Sequence, residues 1–132
     1  MINRFSVKPL FKCNKNLANV ASGNTKPELV IKNSNILSVY TDRILKNKEI
    51  WISNGRICCI KDNGESRKFF GKDIISYDAK SGILAPGLID PHMHIESSMM
   101  TGCAYAEPAL LNGTTTIFCD SHEIGNVCDV EG

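Results

Sequence analysis

The chain has 132 residues, 42% of them hydrophobic and 22% charged, with a formal net charge of +1. That composition belongs to a soluble globular protein rather than a disordered or fibrous one, and the near-neutral charge gives no footprint for a nucleic-acid partner. No apolar run reaches the length of a membrane span and the segment after Met1 lacks the apolar core of a secretory signal, so the expected compartment is the cytoplasm, away from membranes.

The first 27 residues form a polar lead-in. Arg4, Lys8, Lys12, Lys15 and Lys26 precede the first acidic residue, Glu28, and read as a solvated surface. A short helix is expected around Asn16 to Ala21, closed by Ser22-Gly23-Asn24 and Pro27. Six cysteines, Cys13, Cys58, Cys59, Cys103, Cys119 and Cys128, would suit a stapled secreted domain, but nothing here points to secretion. None is spaced C-x-x-C, which argues against a closed structural zinc site.

From Glu28 to Ala85 the texture is that of short strands, and residues 28–85 are expected to form a small, antiparallel β domain. Leu29-Val30-Ile31 and Ile36 to Tyr40 are separated by Asn33-Ser34-Asn35. Glu49 to Ile52 and Arg56 to Ile60 are joined by Ser53-Asn54-Gly55, where Asn-Gly predicts a tight hairpin because a type I′ turn needs positive φ at both central positions. Ile74 to Tyr77 and Gly82 to Ala85 resume the extended pattern.

At Pro86-Gly87 the pattern changes. Leu88-Ile89-Asp90 is a short strand; Thr101 to Leu111 is a helix with Pro108 expected near a bend or its start; Asn112-Gly113 ends it; and Thr114 to Cys119, rich in β-branched residues, is the next strand. Strand, helix, strand is a βαβ unit with parallel strands. Residues 86–132 therefore read as a segment distinct from the β domain before it.

The chemistry gathers where these two strands end. All three histidines, His92, His94 and His122, lie within 31 positions of one another, each just after a predicted strand. In extended backbone the spacing of His92 and His94 puts both imidazoles on one face, able to hold one divalent metal. Glu96 is in phase with them, close enough to touch a metal-bound water or substrate, while Ser97 or Ser98 could instead cap the following helix. Asp120 and His122 share parity in Asp120-Ser121-His122-Glu123 and could face the same lumen; Asp120 or Ser121 could equally cap a helix beginning near Glu123. The H-x-E and P-C-x-x-C pair of the zinc nucleobase deaminases is absent, as are H-E-x-x-H and a Walker loop.

Ala85-Pro86-Gly87-Leu88-Ile89-Asp90-Pro91-His92-Met93-His94 resembles the entry to the first barrel strand in the amidohydrolase superfamily. Within it, His94-Ile95-Glu96-Ser97-Ser98-Met99, Gly113 to Thr116 and Asp120-Ser121-His122-Glu123-Ile124 resemble the adenine deaminase family rather than dihydroorotases or hydantoinases. The pattern usually has proline where this chain has Ser121 and Gly102, and alanine where it has Gly125.

The resemblance implies an α/β fold: a small N-terminal β-sheet domain followed by the first βαβ unit of an incomplete (β/α)8 barrel. It also implies a two-metal site, usually manganese or iron, that activates water against adenine and releases ammonia and hypoxanthine. His92 and His94 would be metal ligands, with Glu96, Asp120 and His122 in the same pocket as ligands or substrate contacts. The implied partner is a small molecule, with homo-oligomers possible at full length. The 43 residues from Asp90 to Gly132 supply only two barrel strands, whereas such a barrel takes about 250 residues. The chain alone is therefore expected to be an inactive, poorly stable fragment. The alternatives are another amidohydrolase acting on a cyclic amide or amidine, and a non-catalytic remnant.

Overall fold

The computed structural model describes residues 7–69 and 71–129; Arg4 of the basic lead-in lies outside them. By compactness the chain divides into two units, Met1–Ala85 and Pro86–Gly132.

The first unit opens with helix α1, Leu10–Ala21. It begins six residues earlier than its sequence signature suggests. Pro9 supplies the start, with its carbonyl accepting from Lys12 N, and the first turns, carrying Phe11, Lys12, Asn14 and Lys15, are largely exposed. Cys13 and Val20 are its buried residues, with Leu17 partly covered between them. Gly23, at φ +77°, ends the helix by donating to Val20 O.

Five strands follow: β1 (Leu29–Ser38), β2 (Arg43–Ser53), β3 (Arg56–Asp62), β4 (Ile75–Asp78) and β5 (Ile83–Leu84). Their order is β3-β2-β1-β4, with β5 also paired to β1. The β1–β2 and β2–β3 pairs are antiparallel, but β4 and β5 run parallel to β1, so the sheet is mixed rather than antiparallel. The reason is connectivity. One edge of β1 is taken by β2, and the chain leaving β3 passes through the 3-10 turn Glu65–Phe69 before adding β4 on the opposite edge.

Asn33-Ser34-Asn35 does not break the strand. It forms an irregularity inside a continuous β1, with Asn33 at φ 52° and the register shifted on both sides of Ser34. Asn33 and Asn63 exchange hydrogen bonds, Asn63 Nδ2 to Asn33 Oδ1 at 2.7 Å and Asn33 N to Asn63 Oδ1 at 2.9 Å. Asn54 and Gly55 both have positive φ, as the hairpin turn requires.

Strand parity puts Glu49, Trp51 and Ser53 on one face of β2. Val30 and Cys59 stand opposite Trp51 on the flanking strands. Val20, Val30, Trp51 and Phe69 form the buried cluster, with Trp51 and Phe69 meeting edge to face at 5.6 Å. Glu49 is fully buried beside them. Its carboxylate accepts four hydrogen bonds, from Trp51 Nε1 (2.7 Å), Ser66 N (2.7 Å), Gly64 N (2.9 Å) and Ser66 Oγ (3.0 Å). One side chain thus fastens both the core indole and the turn that carries Phe69.

The second unit holds β6 (Leu88–Met93), the 3-10 turn Glu96–Ser98, α2 (Gly102–Leu111), β7 (Thr114–Cys119) and α3 (His122–Cys128). β6 and β7 pair in parallel, from Leu88 opposite Thr114 to Met93 opposite Cys119. Thr101 caps α2 by accepting from Ala104 N at 3.3 Å, and Pro108 lies inside the helix rather than at its start. At Gly87 a Cβ would lie 2.1 Å from Thr115 Oγ1, so only glycine lets the two strands approach there. Ala109 is the one buried residue among the described residues of this unit.

Two predictions follow from these contrasts. Glu49→Ala leaves four donors facing a hole and should lower the unfolding free energy by about 3 kcal/mol or more, read by urea titration of the fluorescence of Trp51, the single tryptophan; a loss under about 1 kcal/mol would contradict the anchoring role. In hydrogen–deuterium exchange, amides of β6 and β7 should exchange while those of β1 and β2 remain protected. Equal protection of the two units would refute the uneven burial.

Candidate metal centre

In a parallel pair, both strands end on the same side. The last pairing, Met93 opposite Cys119, together with Asp120 N donating to Met93 O at 3.0 Å, brings the residues that follow each strand together. His94 stands beside Asp120, and its Nδ1 lies 2.7 Å from the Asp120 carbonyl oxygen. A carbonyl only accepts, so Nδ1 carries the proton and Nε2 is left with its lone pair. His122 Nδ1 lies 3.0 Å from Asp120 Oδ2, which likewise leaves its Nε2 outward.

Ligand-capable atoms of His94, Asp120 and His122 all lie within 4.8 Å of one another. The rings of His94 and His122 meet edge to face, 4.5 Å between centroids. His92 joins this group through His94, the two Nε2 atoms being 3.1 Å apart, and its backbone is held by Asp90 Oδ1. The hydrogen bond from His122 holds the Asp120 carboxyl below its ordinary range; the same bond raises the His122 imidazole, with burial opposing and the charges of Asp120, Glu123 and Glu96 adding.

The extended phase expected to align these side chains stops sooner than the residues do. Glu96 lies in the 3-10 turn and His122 is the first residue of α3; His122 joins His94 and Asp120, whereas Glu96 is not among the residues of that group. Neither capping alternative is realised. Ser121 makes no side-chain cap, Asp120 is engaged by His122, and α2 is capped by Thr101 rather than Ser97 or Ser98. Ser98 donates to Ile95 O, whereas Ser97 donates to Glu123 Oε1 at 2.6 Å, a contact that sequence spacing does not announce. Glu96 Oε1 is buried with no hydrogen-bond partner among the described residues.

This donor set fits a divalent cation. Imidazole nitrogens with carboxylate oxygens suit first-row metals, two rings are oriented by their far nitrogens, and an unsatisfied carboxylate oxygen lies in the adjoining turn.

No protein-family model matches the chain. It is 60% identical over 131 residues to an adenine deaminase of Chelativorans sp. (strain BNC1), covering 99% of this chain and 21% of that protein. An adenine deaminase of Bradyrhizobium sp. (strain BTAi1 / ATCC BAA-1182) matches at 60%, covering 99% and 22%. One of Clostridium botulinum (strain ATCC 19397 / Type A) matches at 38%, covering 100% and 22%. Among solved structures, a prolidase complexed with N-methylphosphonate-L-proline matches with TM-score 0.54 and 19% identity, covering 75% of this chain and 28% of that one. Molinate hydrolase matches with TM-score 0.55 and 18% identity, covering 71% and 24%. These two show likeness of fold alone. The chain thus shares part of its fold with that prolidase and with molinate hydrolase, and, spanning about a fifth of the length of the curated relatives it matches, it is similar in sequence to proteins named adenine deaminase.

Proposed function

We propose that this chain carries part of the metal site of an adenine deaminase, whose reaction converts adenine and water to hypoxanthine and ammonia. The observation that carries this reading is the His94, Asp120 and His122 group at the paired ends of β6 and β7, in a chain 60% identical to proteins of that name. His92 and His94 would hold a divalent metal, manganese or iron, with Asp120 and His122 as further ligands or substrate contacts. When bound, such a metal lowers the pKa of water enough to supply hydroxide near neutral pH.

The protein's own part is orientation. The Asp120 carbonyl holds the His94 ring so that Nε2 points away from it, and the Asp120 carboxylate does the same for His122. In this reading Glu96 is a further ligand or substrate contact, a role supported by its buried oxygen without a partner among the described residues. The substrate in this reading is a small molecule, and no described helix is long and apolar enough to cross a membrane. The setting is purine salvage in the cytoplasm, with self-association belonging to the longer protein.

In the 132-residue chain Asp120 and His122 are each about half exposed, at 53%. Electrostatic stabilisation of a reaction needs a site from which water is excluded. The chain alone, loaded with Mn2+, should therefore release no hypoxanthine from adenine by chromatography; steady turnover would overturn this expectation. The activity itself is tested by replacing the matching 131 residues of the Chelativorans adenine deaminase with this chain. The chimera should deaminate adenine, and His94→Ala or His122→Ala should each cost at least about 100-fold in kcat/KM. A folded chimera without activity, or one indifferent to both substitutions, would sink the proposal.

A further inference from the structure

We infer that Ser97 is a positioning residue for this cluster: by donating its hydroxyl to Glu123 it ties the turn after β6 to the first turn of α3, fixing where Glu96 and His122 stand. The inference rests on the metal-site reading above and names a residue that reading does not use.

Backbone pairing between the two strands ends with Asp120 N on Met93 O. Beyond that point, hydrogen bonds from His94 to the Asp120 carbonyl and from Ser97 to Glu123 cross from one strand end to the other. The second joins residues 26 apart in sequence at 2.6 Å, the short range of a hydroxyl donating to a carboxylate. Its neighbours are the residues that matter: Glu96 precedes Ser97 and His122 precedes Glu123.

α3 needs such a tie. It has seven residues, too few to hold itself, with no side-chain cap at Ser121 and no basic residue in its last turn. A change in the angle of its first turn would carry His122 away from Asp120 and His94. Glu96 is constrained from the other side, in a three-residue 3-10 turn ending at Met99 in the left-handed region. Ser97 is exposed, so its removal opens no cavity and separates the hydrogen bond from packing.

The test uses Mn2+ alone as probe, with the 132-residue chain and free Mn2+ read by electron paramagnetic resonance. Ser97→Ala should weaken Mn2+ binding by about tenfold or more, the scale of losing a partner that orients a ligand, while Ser97→Thr, which keeps the hydroxyl, should stay within about threefold of the parent. Melting of the metal-free Ser97→Ala chain should match the parent, separating positioning from folding. If the parent binds Mn2+ and Ser97→Ala binds equally well, or Ser97→Thr is as weak as Ser97→Ala, the role of Ser97 falls and the metal-site reading stands. If the parent takes up no Mn2+, both fall together.

Discussion

The parallel ladder between β6 and β7 is the constraint on which the candidate site depends. Parallel strands cannot be joined by a tight turn; the chain must return along the outside, here through α2, before it can pair again. The outcome is that both strands deliver their trailing residues to the same end. His94 follows β6, with His92 still inside that strand and Glu96 in the turn beyond it, while Asp120 and His122 follow β7, and no long-range folding event beyond one crossover is needed. The approach is close because position 87 carries no side chain where Thr115 passes.

The first unit is organised differently, around a buried charge-bearing group instead of a strand end. Glu49 has no access to solvent and satisfies it with donors from its own strand and from the turn beyond β3. A small sheet with four residues in its central cluster has little apolar area to spare, so directional bonds supply specificity that packing alone would not. The two units therefore embody two ways of holding a small fold, and only the first has an interior of its own.

Much of this was legible before any coordinates. The Asn54-Gly55 hairpin and the β-branched run at Thr114 to Cys119 announce themselves through local sterics, whereas the strand before the histidine pair runs further than its apolar core, to Met93, and so takes in His92. What was hidden has physical causes. The first two turns of α1 are disguised because their large apolar residues, Leu10 and Phe11, face solvent and only Cys13 among them is buried. Asn33-Ser34-Asn35 has the composition of a turn, yet the Asn33–Asn63 amide exchange keeps it in the strand. The parallel sense of β4 and β5 follows from which edge of β1 was free, a tertiary fact. Around the site, strand parity describes the backbone only in part, since Glu96 lies in a 3-10 turn and His122 opens α3; the Ser97 to Glu123 bond left no mark in the spacing.

The acceptor that orients His94 is a main-chain oxygen, whereas the acceptor that orients His122 is the side chain of the same residue, Asp120. One residue thus serves two rings through two groups that mutation treats unequally. Changing the side chain at 120 releases only His122, because every amino acid brings the same carbonyl. The orientation of His94 is inherited from strand pairing itself, and so is shielded from substitution at that position in a way that the orientation of His122 is not.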